Sequence, residues 1–111
     1  MKFRKIVFFN NYFEDFFCRQ KKKVREKIIW TLSLIEEQEV VPEKYLKHVE
    51  GTSGPYEVRV QSGREIFRLF AFFDKDKLVV VMNGFQKKSE KTPKKEILKA
   101  LKIKDEYENE R

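Results

Sequence analysis

The sequence contains very few of the residues that build metal centres, disulfide bonds and nucleotide-binding loops. Its 111 residues include a single cysteine, Cys18, and a single histidine, His48. A zinc site needs several clustered His, Cys or acidic ligands, and an internal disulfide bond needs two cysteines, so neither is expected. The four glycines form neither a P-loop nor a dinucleotide-binding fingerprint. We therefore expect a protein that uses no metal and no cofactor.

Long apolar segments are absent as well. The longest unbroken apolar run, Leu78 to Met82, is far shorter than the roughly 20 residues needed to span a bilayer. Near the N-terminus the apolar run Ile6 to Phe9 is soon followed by the acidic residues Glu14 and Asp15, a pattern that does not match a signal peptide. Together with the scarcity of cysteine, these features predict a cytoplasmic protein with no membrane partner.

The chain is rich in aromatic residues and in positive charge. It contains 11 phenylalanines, which supply enough apolar surface for one folded domain. The net charge is +7, and the positive charge is concentrated in residues 19–27 and 85–104, whereas the rest of the chain is acidic overall. Such segregation indicates a polyanionic partner. The alternative is that each lysine-rich run is only the solvated face of a helix.

The N-terminal half of the chain predicts a strand followed by two helices. Residues 3–9 are aromatic and β-branched, as in a strand, and either Asn10 or Asn11 can cap the helix that follows. Apolar residues then repeat at helical spacing on both sides of a bend at residues 20–23. The first set is Phe9, Tyr12, Phe13, Phe16 and Phe17, and the second, which ends near Gln38, is Val24, Ile28, Thr31, Leu32 and Ile35.

The C-terminal half predicts three strands and a last helix. Prolines and glycines between residues 42 and 55 indicate a loop. Strands are predicted at residues 56–61, 64–73 and 78–85, with Ser62 and Gly63 in the first turn. Thr92 and Pro93 are typical of a helix start, and the apolar residues of that helix are Ile97, Ala100 and Leu101.

The order β-α-α-β-β-β-α predicts an α+β fold. We expect an antiparallel β-sheet meander with an N-terminal strand, packed against two N-terminal helices, plus a C-terminal helix. Residues 1–106 form a single domain in this interpretation, and residues 107–111 form a frayed tail.

Arginine and lysine residues near the predicted sheet are the candidates for chemistry. Arg68 is a permanent cation among apolar strand residues, on the face of Ile66 and Phe70, and Arg59 lies on the preceding strand. The planar guanidinium group matches phosphate, and clustered cations stabilise the charge that develops in phosphoryl transfer. RNA carries its own nucleophile, the 2′-hydroxyl, so its cleavage needs no metal. Alternatively, both arginines are ion-pair partners of residues such as Glu57 or Glu65.

Four segments of the chain resemble a known family of toxins. They are LKHVEG at residues 46–51, GPYEVRV at 54–60, IFRL at 66–69 and NGFQKKSEKTP at 83–93. Together with the order of the elements, these segments are similar to the RelE/ParE toxin superfamily, in its HigB-like, phage-derived branch. The resemblance covers nearly the whole chain, and residues 83–93 are its most specific part.

The resemblance implies the toxin of a type II toxin-antitoxin system. It implies a metal-independent, ribosome-dependent mRNA endonuclease that cleaves by attack of the 2′-hydroxyl on the scissile phosphate and leaves a cyclic phosphate. It also implies two partners, mRNA on the ribosome and a helix-turn-helix antitoxin, with operator DNA reached only through the antitoxin complex. The same fold also carries inhibitors of DNA gyrase, and an RNA-binding module without catalysis is a further alternative.

Site residues follow from the resemblance and from the charge pattern. Arg59 and Arg68 match strand residues that contact the scissile phosphate, and Lys87 or Lys88 matches a basic position after the last strand. Glu57 stands where some relatives have lysine, and their catalytic tyrosine has no clear counterpart, so Lys87, Lys88, His48 and Tyr56 all remain candidates for proton transfer. The predicted catalytic residues are Arg59, Arg68, Lys87 and Lys88, and the predicted RNA-binding residues are Lys21, Lys22, Lys23 and Lys91.

Two apolar residues outside the main stripe of the second helix are candidates for antitoxin binding. Trp30 and Leu34 offer an exposed apolar edge on which a partner helix can lie. The alternative is that the antitoxin occupies the groove of Arg59 and Arg68 itself.

Overall fold

The fold is a five-stranded mixed β-sheet with helices on both faces. The structure is a computed structural model, which describes residues 2–110. In chain order the elements are β1 (Lys5–Phe8), α1 (Tyr12–Cys18), α2 (Lys22–Glu37), β2 (Leu46–His48), β3 (Tyr56–Ser62), β4 (Glu65–Lys75), β5 (Leu78–Lys87) and α3 (Lys94–Glu110). The predicted α+β class and its two N-terminal helices, three-stranded meander and C-terminal helix are confirmed.

The order of the strands across the sheet is β1-β5-β4-β3-β2. Strands β3, β4 and β5 form the predicted antiparallel meander, whereas β1 lies parallel to β5, with Lys5 opposite Leu78. Strand β2 pairs antiparallel with β3 and falls inside the segment that we predicted to be a loop. It has only three residues, too few for an alternating pattern to be visible in the sequence.

Helices α1 and α2 cover one face of the sheet. All five residues of the stripe predicted for α2 are buried, and the four apolar ones pack with Phe13 and Phe16 of α1 against Phe67 and Leu69 of β4. The helix α1 lies directly on the backbone of β5, since a Cβ atom added to Gly84 would be 2.7 Å from a ring carbon of Phe16. A glycine in this strand thus permits the close approach of the helix.

Helix α3 covers part of the other face. Ala100 and Ile103 are buried against Phe70 and Phe72, so Ile103 takes the place that we had predicted for Leu101, which is only partly buried. The helix continues to Glu110, through most of the segment expected to be a frayed tail, residues 107–111, and Arg111 lies outside the described residues.

Contacts near the end of α3 explain its length. The ring of Tyr107 packs edge-on against Phe9 and Phe72, and its hydroxyl donates a 2.8 Å hydrogen bond to Asp74. Asn10, with a φ of 53°, donates from its side chain to Glu106, while Asn11 occupies the N-cap position of α1 without a side-chain cap bond. None of the helices within residues 2–110 is long and apolar enough to cross a membrane.

The end of the sheet next to the β3–β4 hairpin is bordered by cavities. Along β4, Phe70 and Phe72 pack beneath α3, whereas Arg68, the preceding residue of the same face, lines an open cavity. Gly63 makes the hairpin turn possible with a φ of 61°, which other residues rarely adopt. The open part of the sheet therefore carries the strand arginines.

Candidate functional site

Two arginines lie side by side on neighbouring strands of the open part of the sheet. Arg59 of β3 is directly opposite Arg68 of β4 in the antiparallel register. Directly opposed residues have Cβ atoms about 4.5–5.5 Å apart on one face, so the two side chains start from the same small region. Arg68 is nearly buried, with 11% of its side chain exposed, whereas 29% of the Arg59 side chain is exposed.

A buried carboxylate holds the arginine pair. Glu57 lies two residues before Arg59 and therefore on the same face of β3. Its Oε2 atom is 3.4 Å from Nε of Arg59 and 3.6 Å from Nε of Arg68. Its Oε1 atom accepts a 2.8 Å hydrogen bond from the hydroxyl of Thr92, the residue predicted to cap α3. The ion-pair alternative for the two arginines is thus present in the structure, with Glu57 as their shared partner.

Ion pairing leaves the guanidinium group of Arg68 with incomplete hydrogen bonding. Its Nη1 donates a 3.1 Å hydrogen bond to the carbonyl of Phe67, but its buried Nε makes no hydrogen bond within residues 2–110. Burial lowers the pKa of Arg68, while the attraction of Glu57 opposes this shift and the repulsion of Arg59 adds to it. Arginine still remains charged in proteins. A nearly buried cation with spare donor capacity favours the binding of an anion such as phosphate.

The arginine pair opens onto two cavities, and Arg59 lines both. The first, here named the α2-side cavity, has a volume of about 410 Å³ and is bordered by Lys27, Tyr45 and Arg68. The second, named the loop-side cavity, has a volume of about 440 Å³ and lies between β2, β3 and the segment of residues 87–92. An anion bound between the two arginines would therefore have room on either side.

The predicted lysines are divided between different surfaces. Lys87 and Lys91 line the loop-side cavity together with Arg59. Lys88 is exposed and lines a separate groove next to Arg64. The structure therefore brings Lys87 and Lys91 to the arginine pair, but not Lys88.

The lysines at the start of α2 are exposed at the same end of the molecule. Lys21, Lys22 and Lys23 precede Lys27, which already lines the α2-side cavity. The far end of α2 lies against β1 instead, where the side chain of Glu36 accepts a hydrogen bond from the backbone of Ile6. The N-terminal half of α2 therefore adds positive charge on the side of the arginine pair.

Trp30 and Leu34, the predicted antitoxin-binding residues, differ in exposure. Trp30 is 46% exposed, while Leu34 is partly buried. The Trp30 ring packs edge-on against Tyr45 at 5.6 Å between centroids, and the Nζ of Lys27 lies 4.2 Å from the Trp30 centroid. Trp30 is thus already in contact with a residue that lines the α2-side cavity.

Among the proton-transfer candidates, His48 lies closer to the site than Tyr56. His48 lines the loop-side cavity, and its ring packs edge-on against the ring of Tyr56. Tyr56 in turn packs against Phe73 of the α2-side core. Together with Lys87, His48 is therefore the candidate that the structure places beside the arginine pair.

Several residues of the site were not identified from the sequence. Lys47 pairs with Glu57 across β2 and β3 and lines the loop-side cavity. Lys44 and Tyr45, just before β2, line the α2-side cavity. All three belong to the segment that looked like a loop, and only its mixture of basic and aromatic residues was visible. Within residues 2–110 no group of three His, Cys or acidic side chains is placed to hold a metal ion.

The α+β fold and the order of its elements are compatible with the RelE-like class of toxin-type proteins, and strand arginines here lie beside a lysine-rich segment. The sequence profile of the phage-derived Gp49-like proteins (DUF891) matches residues 15–105. The chain belongs to this family, which consists of RelE/HigB-like toxin-type proteins. The predicted resemblance is confirmed at that level, and the more specific HigB-like branch stays a prediction. Among curated proteins, none matches the chain.

Proposed function

We propose that this chain is the toxin of a type II toxin-antitoxin system and acts as a metal-independent, ribosome-dependent mRNA endonuclease. The observation that carries the proposal is the Arg59–Arg68 pair, held by Glu57 and open to two cavities lined by further cations. Family membership supports the toxin assignment. A bound polyanion matches both the local charge and the net charge of +7.

The proposed reaction needs only positioning, charge stabilisation and proton transfer. The 2′-oxygen of RNA attacks the adjacent phosphorus, the bond from phosphorus to the 5′-oxygen breaks, and a cyclic phosphate and a 5′-hydroxyl are formed. The 2′-hydroxyl gives up its proton to a base, and the leaving 5′-oxygen receives one from an acid. Arg59 and Arg68 stabilise the negative charge on the non-bridging oxygens. Lys87 or His48 takes part in proton transfer, and Lys91 and Lys88 bind the RNA backbone.

Replacement of Arg68 by alanine tests this proposal. Loss of one preorganised donor to the developing charge is expected to slow cleavage by about a hundredfold or more. Folding should survive, because Glu57 keeps its contacts with Arg59 and Thr92. The matched control is Arg64→Ala, which removes an exposed arginine from the neighbouring hairpin turn.

The readout is a primer-extension map of cellular mRNA after brief expression of each variant. Wild type and Arg64→Ala should produce cuts within translated codons, and Arg68→Ala should not. A folded Arg68→Ala protein that cuts at the wild-type rate would contradict the proposal. Stalled gyrase with DNA breaks would favour a gyrase inhibitor instead, and growth arrest with neither lesion would favour an RNA-binding module without catalysis.

We also propose that the antitoxin docks on α2 at Trp30 and Leu34. A toxin-type family implies an antitoxin partner, and an acidic or amphipathic segment would complement the positive charge of this end of the molecule. The double substitution of Trp30 and Leu34 by aspartate should then abolish co-purification with the antitoxin. Unchanged co-purification would favour an antitoxin that occupies the arginine groove.

A further inference from the structure

The α2-side cavity combines positive charge with one aromatic wall. Among residues 2–110, its lining contains four cationic side chains and no acidic one, and Tyr45 is its single aromatic residue. The cationic residues are Lys27, Lys44, Arg59 and Arg68. Its volume of about 410 Å³ lies within the range of about 300–1,000 Å³ that small-molecule sites occupy. The chemistry of these walls suits an anion that also carries a flat ring.

The ring of Tyr45 is supported by two neighbouring side chains. Trp30 packs edge-on against it, and the ammonium group of Lys44 lies 5.5 Å from its centroid. Such contacts reduce the freedom of an aromatic side chain before any ligand binds. The backbone nitrogen of Tyr45 also donates a 2.9 Å hydrogen bond to the carbonyl of Pro42. Tyr45 is thus a preformed wall of the cavity.

The backbone couples the position of Tyr45 to the arginine pair. The amide of Arg59 donates a 2.8 Å hydrogen bond to the carbonyl oxygen of Tyr45. The two residues are therefore neighbours across the edge of the sheet, and both line the same cavity. A ligand with a phosphate at the arginines and a planar ring next to it would contact both.

We propose that the α2-side cavity binds one unpaired nucleobase of a single-stranded RNA, stacked on Tyr45, next to the phosphate held by Arg59 and Arg68. The inference rests on the proposed function, and it adds a base-binding site to the phosphate site. Stacking of a base on an aromatic side chain is tolerant of sequence, because every base has a flat π-face. The role of Trp30 here is to position Tyr45.

The test uses a fluorescently labelled hexaribonucleotide in which every 2′-hydroxyl is methylated, so that it cannot be cleaved. A series of such probes carries one abasic residue at each position in turn, which removes a base and keeps every phosphate. Binding is measured by anisotropy at low salt. Trp30 is the only tryptophan of the chain, so its emission reports directly on the surroundings of Tyr45.

We expect one abasic position to weaken binding about tenfold, as does Tyr45→Ala with the intact probe. The two losses should not add, because both remove the same stacking contact. Tyr45→Phe should bind like wild type, since it keeps the ring. The control is Phe8→Ala, which removes an aromatic residue, 49% exposed, from the far edge of the sheet and should leave binding unchanged.

Four results would overturn the base site. Equal weakening of intact and abasic probes by Tyr45→Ala would mean that Tyr45 is only structural. If no abasic position changed the binding of the probe, the cavity would contain a phosphate site without a base site, and the proposed function would stand. If Tyr45→Ala lost antitoxin binding but kept RNA binding, the surface around Tyr45 would be a contact for the antitoxin instead of RNA. Absence of binding to any probe by the wild-type protein would overturn the base site and RNA binding together.

Failure of the proposed function can be distinguished from failure of the base site. Full cleavage activity of Arg68→Ala would contradict the proposed catalytic roles, yet the coupling between Tyr45 and one base would still be measurable. In that case the cavity would remain a base-binding site of a protein with a different catalytic arrangement.

Discussion

At the scale of single residues, the unusual feature of the site is a carboxylate where an anion is proposed to bind. Glu57 is buried, and its negative charge offsets part of the positive charge of Arg59 and Arg68. It contacts both guanidinium groups at Nε, while Nη1 of Arg68 donates to the carbonyl of Phe67. We interpret Glu57 as a positioning residue that orients the arginines and, through Thr92, fixes the segment before α3.

Replacement of Glu57 by glutamine tests whether Glu57 positions the arginines through the attraction between its charge and the guanidinium groups. The amide keeps the size of the side chain and can still accept a hydrogen bond from Thr92, but it no longer attracts the two guanidinium groups. RNA binding should stay equal or become tighter, because a negative charge is removed, while cleavage should slow by about tenfold or more because the arginines are less well placed.

The measurement is single-turnover cleavage on ribosomes, which gives the cleavage rate and the binding constant separately. The matched control is Glu65→Gln, which removes an exposed carboxylate from the next strand and should change neither quantity. A parallel loss of binding and rate would indicate that Glu57 supports the local fold instead of the arginine geometry.

At the scale of elements, the long sequence patterns were predicted correctly and a very short one was missed. The sixteen residues of α2 repeat their apolar stripe over several turns, and every residue of the predicted stripe is buried. Arg59 and Arg68 were recognisable because a charge interrupts an apolar strand. Strand β2 was missed because three residues show no period, and with it the positions of Lys47 and Tyr45 were missed.

Pairings between distant elements could not be predicted from the sequence either. Alternation shows which face of a strand is buried, but it does not show which strand lies beside it. The parallel pairing of β1 with β5 and the hydrogen bond from Thr92 to Glu57 both join segments far apart in the chain. The contacts of Tyr107 could not be predicted for the same reason, since Tyr107 finds its partners near the N-terminus and on β4.

Truncation of the chain after residue 106 should therefore destabilise the fold. The loss of Tyr107 removes an aromatic ring packed against Phe9 and Phe72 and a hydrogen bond to Asp74. Because Tyr107 is only partly buried, we expect a cost of about 2 kcal/mol, below the range of about 3–5 kcal/mol for a fully buried ring.

The cost is measured by urea unfolding, with truncation after Tyr107 as the control. That control keeps the ring and removes only residues 108–111, of which 108–110 are exposed, so its stability should be close to that of the full chain. Equal stability of the two truncated chains would show that residues 107–111 are a dispensable tail.

At the scale of the whole molecule, charge is divided between the two ends of the sheet. The end next to the β3–β4 hairpin, here named the basic end, carries both cavities and the start of α2. Its cations include Lys21, Lys22, Lys23, Lys27, Lys44, Lys47, Arg59, Arg64, Arg68, Lys87, Lys88 and Lys91. The opposite end also has lysines, for example Lys5, Lys75 and Lys77, and acidic residues lie at both ends, but the basic end carries more cations. A polyanion should therefore approach the basic end.

Charge removal at each end of the sheet tests this orientation. Replacing Lys21, Lys22 and Lys23 by glutamine should weaken RNA or ribosome binding and flatten its dependence on salt, because fewer counterions are released when the complex forms. For single-stranded RNA the slope of log K against log salt should become shallower by about 0.7 for each phosphate that the protein no longer neutralises. Each binding constant is measured over a series of salt concentrations.

The control has the same change in charge at the other end of the sheet. Replacing Lys5, Lys75 and Lys77 by glutamine lowers the net charge of +7 equally, but these residues lie where β1 begins and where the β4–β5 hairpin turns. If net charge alone governs binding, both triple variants should lose affinity to the same degree. If the basic end is the RNA-binding surface, only the first variant should show the shallower slope, because only its lysines are close enough to the RNA to displace counterions. Equal slopes for the wild type and the Lys21–Lys23 variant would show that the start of α2 is a solvated helix face, and would confine RNA binding to the two cavities.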